Sequence, residues 1–364
     1  MESMYLNIHI YEKLLGFIRT NQRCLLTTVS ETHGSTPQKP GSSALISNSG
    51  LIAGTVGGGI IEKRILNKAD ESIQTGESCY CRFDLANDIS DEEDAICGGG
   101  MNIILDASPE KHVDTFQELI NSLKNGIPGV LVTICESGPN GEFDIKRLWL
   151  TEKNVEDHSG SLRKEDVEVI KGMIKKPAPG EFKESVIHTS PDYEDNYIFF
   201  ESVLPKHRLI IAGAGHVGKA LTHYGKLLDF EVIVWDDRED LITRNYLPEA
   251  DKILSGKLEE NLGRINVDRN TSVVIVTRGH KNDADVLKIF LNSKAGYIGM
   301  IGSKRKVAQV REKFMQQRWA TPEQWEKIYA PIGLDIHSKT VHEIALSIAA
   351  QLVKVRYEIK NADG

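Results

Sequence analysis

Short apolar runs alternate with amphipathic stretches through the second half of the chain. The runs begin at Leu209 and Val232 and continue at 252–254, 272–277 and 297–301, and each is followed by a helical or turn pattern. Runs of this length predict buried strands, and their alternation with helices predicts a parallel sheet built from βα units. The pattern Thr340-x-x-Glu343 predicts a capping box at the start of a last helix.

The first half mixes helical periodicity with hairpins. Helices are predicted at about 7–21, 61–75 and 113–123, strands at 24–29, 101–105 and 197–203, and hairpins at 43–56 and around 139–141. This mixture is typical of an α+β domain. Prolines cluster between 175 and 207, so we place the boundary near Pro205, with an N-terminal domain at 1–205 and a C-terminal domain at 206–364.

A glycine motif follows the first apolar run of the second half. Leu209–Ala212 leads into G-x-G-x-x-G and then into a helical pattern, and Asp236 ends the next strand 23 positions after Gly213. This layout is typical of a Rossmann-like half, with a phosphate at the helix N-terminus and the acid at a ribose hydroxyl. The candidate cofactor-binding residues here are Gly213, Gly215, His216, Gly218 and Asp236. We therefore predict an α/β protein whose C-terminal domain is a doubly wound parallel sheet.

Composition narrows the class of protein. A net charge of −8 argues against non-specific nucleic-acid binding, which needs clustered cations. No stretch of eighteen apolar residues or signal-like N-terminus is present, so we expect a cytoplasmic protein without membrane contact. The five cysteines, all before residue 136, indicate free thiols in a reducing compartment.

Two glycine-rich segments of the first half could carry chemistry. Cys97 precedes Gly98-Gly99-Gly100, which would leave a thiolate open to a bulky ligand, although a buried structural cysteine fits the same residues. The segment Gly54–Gly59 could hold an anion, with Glu62 complementing the dipole of the following helix. Cys79-x-Cys81, before a strand-like run, is interpreted as structural because two further soft ligands at metal spacing are missing.

Two segments after strands of the second half are further candidates. His280, Asp283 and Asp285 could form acid–base machinery or a metal site, and an Asp-capped helix is the favoured alternative. The stretch Gly302–Lys306 places Ser303, Lys304 and Arg305 at a helix start, where they would contact phosphate or simply face solvent.

Together these segments resemble the xanthine dehydrogenase accessory protein family, of the XdhC/CoxI type. The matching pieces are Gly34–Pro37, Gly57–Glu62, Cys97–Gly99, Leu209–Arg238, His280–Asp283, Tyr297–Lys306, Pro331–Ile336 and Glu343–Ile348. They keep one order along nearly the whole chain. A departure is His337, where many relatives have glycine, and the stretch 111–193 matches no motif of the family.

The resemblance implies a cofactor chaperone rather than a dehydrogenase. Such proteins bind molybdenum cofactor (molybdopterin), support its sulfuration by a cysteine desulfurase, and deliver it to a xanthine dehydrogenase-type apoenzyme. The family's cysteine falls on Cys97, whose thiolate suits a molybdenum or sulfur contact. The implied cofactor-binding set adds Gly98, Gly99, His280, Asp283, Ser303, Lys304 and Arg305 to the glycine-motif residues. A homo-oligomer, as a homodimer, is also expected.

Two alternatives remain open. A Rossmann-like half also fits an NAD(P)-dependent oxidoreductase, or a nucleotide-sensing regulatory module without chemistry. The sequence has no iron–sulfur cysteine spacing and no flavin signature, so it is not itself expected to be a xanthine dehydrogenase.

Overall fold

The computed structural model describes residues 6–84, 99–138, 143–158, 162–175, 182–187 and 196–362. The chain divides after Pro205 into a first unit, 1–205, and a second unit, 206–364. No helix among the described residues is long and apolar enough to span a membrane.

The first unit contains two antiparallel sheets. Its described helices are α1 Leu6–Arg19, α2 Gly59–Thr75, α3 Val113–Lys124 and α4 Lys164–Lys175. Its described strands are β1 Cys24–His33, β2 Ser43–Ser47, β3 Gly50–Gly54, β4 Cys79–Asp84, β5 Gly100–Asp106, β6 Gly129–Ser137, β7 Phe143–Leu150, β8 Phe182–Ile187 and β9 Asn196–Val203. The strand orders are β3-β2-β1-β5-β4 and β7-β6-β9-β8.

Successive side chains along each strand point to opposite faces of the sheet, and both faces of each sheet are buried. Ile104 of the first sheet packs against Cys135 and Phe199 of the second, so the sheets face each other. The other face of the first sheet is covered by α2 through Ile65, and that of the second by α4 through Ile170. Helices α1 and α3 pack with residues of both sheets, among them Leu26 and Leu131. The first unit is therefore a core between two sheets, to which α1 and α3 contribute, with α2 and α4 on the outer faces.

Most predicted elements of the first unit occur near their expected positions. The helix predicted at 61–75 is α2, the hairpin at 43–56 is β2–β3, and the strand at 197–203 is β9. One expectation was wrong: Cys79 and Cys81 do not precede a strand but lie within β4. The turn at 139–141 lies outside the described residues.

The second unit contains one six-stranded parallel sheet. Its strands are β10 Arg208–Ala212, β11 Glu231–Asp236, β12 Lys252–Ser255, β13 Thr271–Ile275, β14 Tyr297–Met300 and β15 Ile328–Tyr329. Its described helices are α5 His216–Leu227, α6 Leu258–Asn261, α7 His280–Phe290, α8 Lys304–Gln316, α9 Pro322–Glu326 and α10 Val341–Ala362. The order β12-β11-β10-β13-β14-β15 places β10 between β11 and β13.

Helices cover both faces of this sheet because its strands bury residues on both sides. Ile210 of β10 lies in a cluster with residues of α7 and α8, whereas its neighbour Ile211 lies in a cluster with residues of α5 and α10. The period of two along the strand sends successive side chains to opposite helical layers. The predicted doubly wound α/β class is confirmed.

The last helix fixes a loop at the edge of this sheet. Thr340 and Glu343 form the predicted capping box at the start of α10, where Glu343 Oε2 accepts the Thr340 amide at 2.8 Å. Further along α10, Gln351 is nearly buried, and its Oε1 accepts the Tyr297 hydroxyl at 2.6 Å and the Gly333 amide at 2.8 Å. Gln351 thereby connects α10, β14 and the loop at 331–337.

Candidate functional site

The glycine motif lies where the strand order of the second unit reverses. β11 pairs with one edge of β10 and β13 with the other, so the helices after β10 and β13 leave on opposite faces of the sheet. A crevice at the carboxyl ends of the strands is expected at such a point, and ligands bind there in open α/β sheets. The segment 213–218 forms one side of this position.

Two of the three glycines are required by close backbone packing. Gly213 has a φ of +120°, and a Cβ there would lie 2.4 Å from the carbonyl oxygen of Val276 on the next strand segment. A Cβ at Gly218 would lie 1.9 Å from the carbonyl oxygen of Gly213. Both positions exclude any side chain, so these glycines let α5 approach β10 and β13 closely.

Gly215 has a different role because its surroundings are open. It is the N-cap of α5 with a φ of −65°, which any residue can adopt, and no atom lies within 4 Å of an added Cβ. The first-turn amides of α5, which include His216 and Val217, have no acceptor within the helix. Glycine here leaves those amides accessible, which suits the approach of a phosphate.

Asp236 at the end of β11 supports this loop from beneath. Its buried carboxylate accepts the Ala214 amide at 2.7 Å, and Nε and Nη2 of Arg238, each at 2.8 Å. Burial raises the pKa of Asp236, but the hydrogen bonds from Arg238 and Ala214 outweigh burial and lower the pKa to about 2. Both carboxylate oxygens therefore already have donors, and Asp237 is the exposed acid at this strand end.

Asp283 binds the loop after β13 and the start of α8. It is fully buried; its Oδ1 accepts the Thr277 amide at 3.2 Å and the Thr277 hydroxyl at 2.5 Å, and its Oδ2 is paired with Lys306 Nζ. The expectation of an Asp cap was wrong in detail: Gly279 is the N-cap of α7, and Asp283 lies inside the first turn. Nothing is described of the His280 side chain. Among the described residues, no three His, Cys, Asp or Glu side chains converge as metal ligands.

The start of α8 presents cations at the same edge of the sheet. Ser303 is the N-cap, and its hydroxyl accepts the Lys306 amide at 3.2 Å. Lys304 and Arg305 are exposed, whereas Lys306 turns inward to Asp283. Because β10, β13 and β14 are adjacent and parallel, α5, α7 and α8 all begin at one edge of the sheet. Three positive helix ends there favour an anionic ligand.

His216 lines a groove between α5, the segment 246–249 and the start of α10. The side chain is exposed and, together with Lys219, Tyr246 and His342, lines a groove of about 500 Å³. Lys219 Nζ lies 4.1 Å from the centroid of the Tyr246 ring. His216 and Lys219 thus bring this groove to the first turn of α5.

In the first unit, the sequence motifs meet at the end of the first sheet. Gly99 is buried, and a Cβ there would lie 2.2 Å from the carbonyl oxygen of His33 and 2.6 Å from that of Ser35. A Cβ at Gly57 would lie 3.7 Å from Pro37 Cγ. The loops at 34–37 and 54–58 therefore pack beside the residue that ends the Cys97–Gly99 motif. Cys97 and Gly98 themselves lie outside the described residues.

Three residues of these sites have roles that were not predicted from the sequence. Arg238 donates hydrogen bonds to the Asp236 carboxylate. Thr277 donates a hydrogen bond to Asp283, and Lys306 forms an ion pair with it. Arg238 directly follows the two acids at the end of β11, which was an available signal. The pairing of Lys306 with Asp283 joins residues 23 positions apart on different helices, and spacing alone does not indicate it.

The fold and its glycine loop define a Rossmann-type unit that follows an α+β unit in the chain. Family models match one segment in each unit. Residues 209–352 match the XdhC Rossmann domain, and residues 17–84 match the XdhC and CoxI family. The chain belongs to the XdhC and CoxI family.

Individual relatives match either the whole chain or part of it. The chain is 22% identical over 353 residues to a protein of Bacillus subtilis (strain 168) named as a probable xanthine dehydrogenase subunit, covering 96% of this chain and 98% of the relative. It is 28% identical over 90 residues to the molybdenum cofactor insertion chaperone PaoD of Escherichia coli (strain K12), covering 25% of this chain and 28% of PaoD. A crystal structure described as a xanthine dehydrogenase from Bacillus halodurans has the same fold, with a TM-score of 0.70, 23% identity and coverage of 97% and 96%.

Proposed function

We propose that this chain is an accessory protein of a xanthine dehydrogenase-type molybdenum enzyme. In this role it binds molybdenum cofactor, supports its sulfuration by a cysteine desulfurase, and delivers it to the apoenzyme. The observation that carries the proposal is the family membership, which includes both units and extends to a relative named as a molybdenum cofactor insertion chaperone.

The glycine loop of the second unit fits the phosphate end of this cofactor. The first-turn amides of α5 are free of helical acceptors, and Gly215 leaves the space above them open. Lys304 and Arg305 add two exposed cations at the same edge of the sheet. These residues would hold a phosphate by charge-assisted hydrogen bonds. The bound cofactor would supply a molybdenum centre, which is the chemistry that the served enzyme uses.

For the first unit we propose Cys97 as the thiol that contacts molybdenum or its sulfur. A thiolate is the soft ligand that this metal accepts. Gly99, at the end of the same motif, is clamped against the carbonyls of His33 and Ser35, so the chain is anchored directly after Cys97-Gly98.

Cofactor retention tests this proposal. The full chain is produced in cells that synthesise molybdenum cofactor, and molybdenum and pterin are quantified in the purified protein. The parent should retain both, and Cys97→Ala should lose both. Cys24→Ala and Cys135→Ala remove buried thiols and serve as matched controls that keep the cofactor. Retention by Cys97→Ala at the level of the parent would refute the role of Cys97, and a parent without pterin would refute cofactor binding.

Sulfuration and delivery need a second experiment. A loaded protein is mixed with a xanthine dehydrogenase-type apoenzyme, with and without a cysteine desulfurase and cysteine. We expect the apoenzyme to become active only in the sample that contains the cysteine desulfurase and cysteine. Activation by free cofactor at the same rate and extent would remove the delivery role.

A dinucleotide is the second candidate ligand, because the strand order and the glycine loop are those of dinucleotide-binding sheets. An NAD(P)-dependent oxidoreductase would oxidise or reduce a substrate with stoichiometric change in nicotinamide absorbance. Tight NAD(P) binding without hydride transfer would instead favour a nucleotide-sensing module.

A further inference from the structure

Two thiols of the first unit lie side by side on an edge strand. Cys79 and Cys81 point to the same face of β4, and their Sγ atoms are 3.5 Å apart. Both are reduced and half-buried. β4 lies at one end of the described sheet and pairs there with β5. The two sulfur atoms are therefore in contact, and a bond between them requires local bending of this edge strand.

The surroundings make the two thiols unequal. Cys79 Sγ lies 3.8 Å from the Ser72 hydroxyl of α2 and lines a cavity of about 900 Å³ at the start of β4. Lys68 and Glu71 on α2 are the charged groups that act on both sulfurs, and Lys68 is on the lining of the cavity. On the β5 side, the residues opposite are the apolar Leu105 and Ile103.

Hydrogen bonding from Cys81 and from Ser72, with the charge of Lys68, lowers the pKa of Cys79 to about 6 against the effect of burial. The same contact with Cys79, together with burial, raises the pKa of Cys81. Ser72 bonds to only one of the two sulfurs, which is why we assign the thiolate to Cys79. At neutral pH, Cys79 is then a nucleophile beside a protonated second thiol.

The strand spacing allows a disulfide but does not favour it. Two residues along a strand are about 6.6 Å apart at Cα, and their Cβ atoms on the same face are about as far apart. A disulfide needs its Cβ atoms about 3.5 to 4.5 Å apart, so the bond closes only when edge strand β4 bends locally. A disulfide held by such bending is strained, and strained disulfides are easily reduced. The pair is therefore suited to a bond that opens and closes rather than to a structural crosslink.

We propose that Cys79 and Cys81 form a thiol–disulfide exchange site, in which Cys79 attacks the S–S bond of a small disulfide or persulfide and Cys81 resolves the product. The inference goes beyond the cofactor role proposed above and is independent of it. The shared chemistry of the two substrates is a divalent sulfur with a thiolate leaving group.

With a disulfide such as oxidised glutathione, the Cys79 thiolate forms a mixed disulfide and one glutathione thiolate leaves. Cys81 then loses its proton to the released thiolate and attacks Cys79 Sγ, which gives the Cys79–Cys81 disulfide and a second glutathione thiolate. The protein loses two electrons and the glutathione disulfide gains them. With a persulfide, Cys79 takes the outer sulfur and the carrier thiolate leaves; attack by Cys81 then releases hydrosulfide.

Intact-mass spectrometry of the full chain tests the site. All variants carry Cys97→Ala so that this thiol does not contribute. With oxidised glutathione, the protein with both cysteines should lose two hydrogen atoms and keep no adduct, whereas Cys81→Ser should trap one glutathione on Cys79. With glutathione persulfide, Cys81→Ser should retain one added sulfur atom. Cys79→Ser should do neither, and Cys135→Ser, which removes a buried thiol, should behave like the parent.

The two arms distinguish the sources of sulfur. Trapping in the first arm alone assigns a disulfide substrate, and trapping in the second alone assigns a persulfide. Equal reactivity of Cys79→Ser and the parent, or no trapping in either arm by a Cys81→Ser protein with native circular dichroism, would overturn the proposal. As an independent check, the alkylation rate of Cys79 is measured against pH. Its midpoint should lie near 6 in the parent and at a higher pH in Lys68→Met. A midpoint above 8 in the parent that does not change in Lys68→Met would also overturn the proposal.

Discussion

The backbone amide of Ala214 donates a hydrogen bond to Oδ2 of Asp236 at 2.7 Å. This contact ties the glycine loop after β10 to the carboxyl end of β11. Arg238 occupies the same carboxylate with Nε and Nη2, so Asp236 has its donors before any ligand arrives. We infer that Asp236 holds the shape of the loop, and that a ribose hydroxyl would have to displace Arg238 or use Asp237.

Asp236→Asn should destabilise the second unit in a pH-dependent manner. The folded pKa of about 2 lies below the unfolded value of 3.8, so the ionised carboxylate stabilises the fold above pH 3.8, and this contribution is lost as the pH falls toward 2. A shift of this size corresponds to about 2 kcal/mol. Urea unfolding at pH 7 and pH 2 should show a large difference between parent and variant only at pH 7. A gap of equal size at both pH values would contradict this assignment.

Gly215→Val should abolish phosphate binding while the protein stays folded. The added side chain enters open space at an allowed φ. The free energy of unfolding should therefore fall by about 1 kcal/mol or less, because glycine is preferred over valine at an N-cap. The branched side chain would cover the first-turn amides of α5. Calorimetric titration with NAD(P) and cofactor retention measure the loss of binding. Unimpaired binding in this variant would show that the ligand does not approach the loop here.

Gly218→Ala is the matched control for that variant. Its methyl group would lie 1.9 Å from the Gly213 carbonyl oxygen, so α5 would have to move away from β10. We expect a clear fall in the unfolding temperature, in contrast to Gly215→Val. Two variants of the same loop thereby separate packing from ligand contact.

Lys306→Met should cost more stability than the double variant Lys306→Met with Asp283→Asn. The single change leaves the fully buried Asp283 carboxylate without its cation, a loss of about 3–5 kcal/mol. Asparagine removes the charge and can still accept from Thr277. Chemical unfolding of the parent, both single variants and the double variant gives the coupling energy. Additive losses would mean that the pair contributes no direct interaction.

His337→Gly should stabilise the second unit. His337 is highly exposed and has a φ of +57°, a conformation that costs a non-glycine residue about 1–2 kcal/mol. Part of the gain is offset by the greater freedom of glycine in the unfolded chain, so we expect about 0.5–1 kcal/mol. His337→Ala, which keeps a Cβ, should give no such gain. A rise of about 2 °C in the unfolding temperature for glycine alone would support this explanation.

Backbone requirements and periodicity were readable from the sequence. Gly213 and Gly218 are the residue type that their positions demand, and the apolar runs predicted β10 to β14 of the parallel sheet. The two-residue edge strand β15 was missed because it is too short to form an apolar run. Helix α4 was missed although Val167, Ile170 and Met173 recur at helical spacing and are buried. In that case the signal was present in the sequence.

The contacts that complete the candidate sites could not be predicted in the same way. Gly99 packs on the carbonyls of His33 and Ser35, more than sixty positions earlier in the chain, because β1 and β5 pair. The Lys306–Asp283 pair likewise exists only once α7 and α8 begin at one edge of the sheet. Such contacts depend on the relative placement of whole elements, which local patterns do not encode.

The contacts of Gln351 can form only after most of the second unit has been synthesised. During synthesis, β10 to β15 and the loop at 331–337 leave the ribosome before residue 351. The Gly333 amide and the Tyr297 hydroxyl therefore lack their common acceptor until α10 has emerged. A nascent chain arrested before this point would lack the tether of the loop and the helix that covers one apolar face of the sheet, and exposed apolar surface of this kind promotes aggregation.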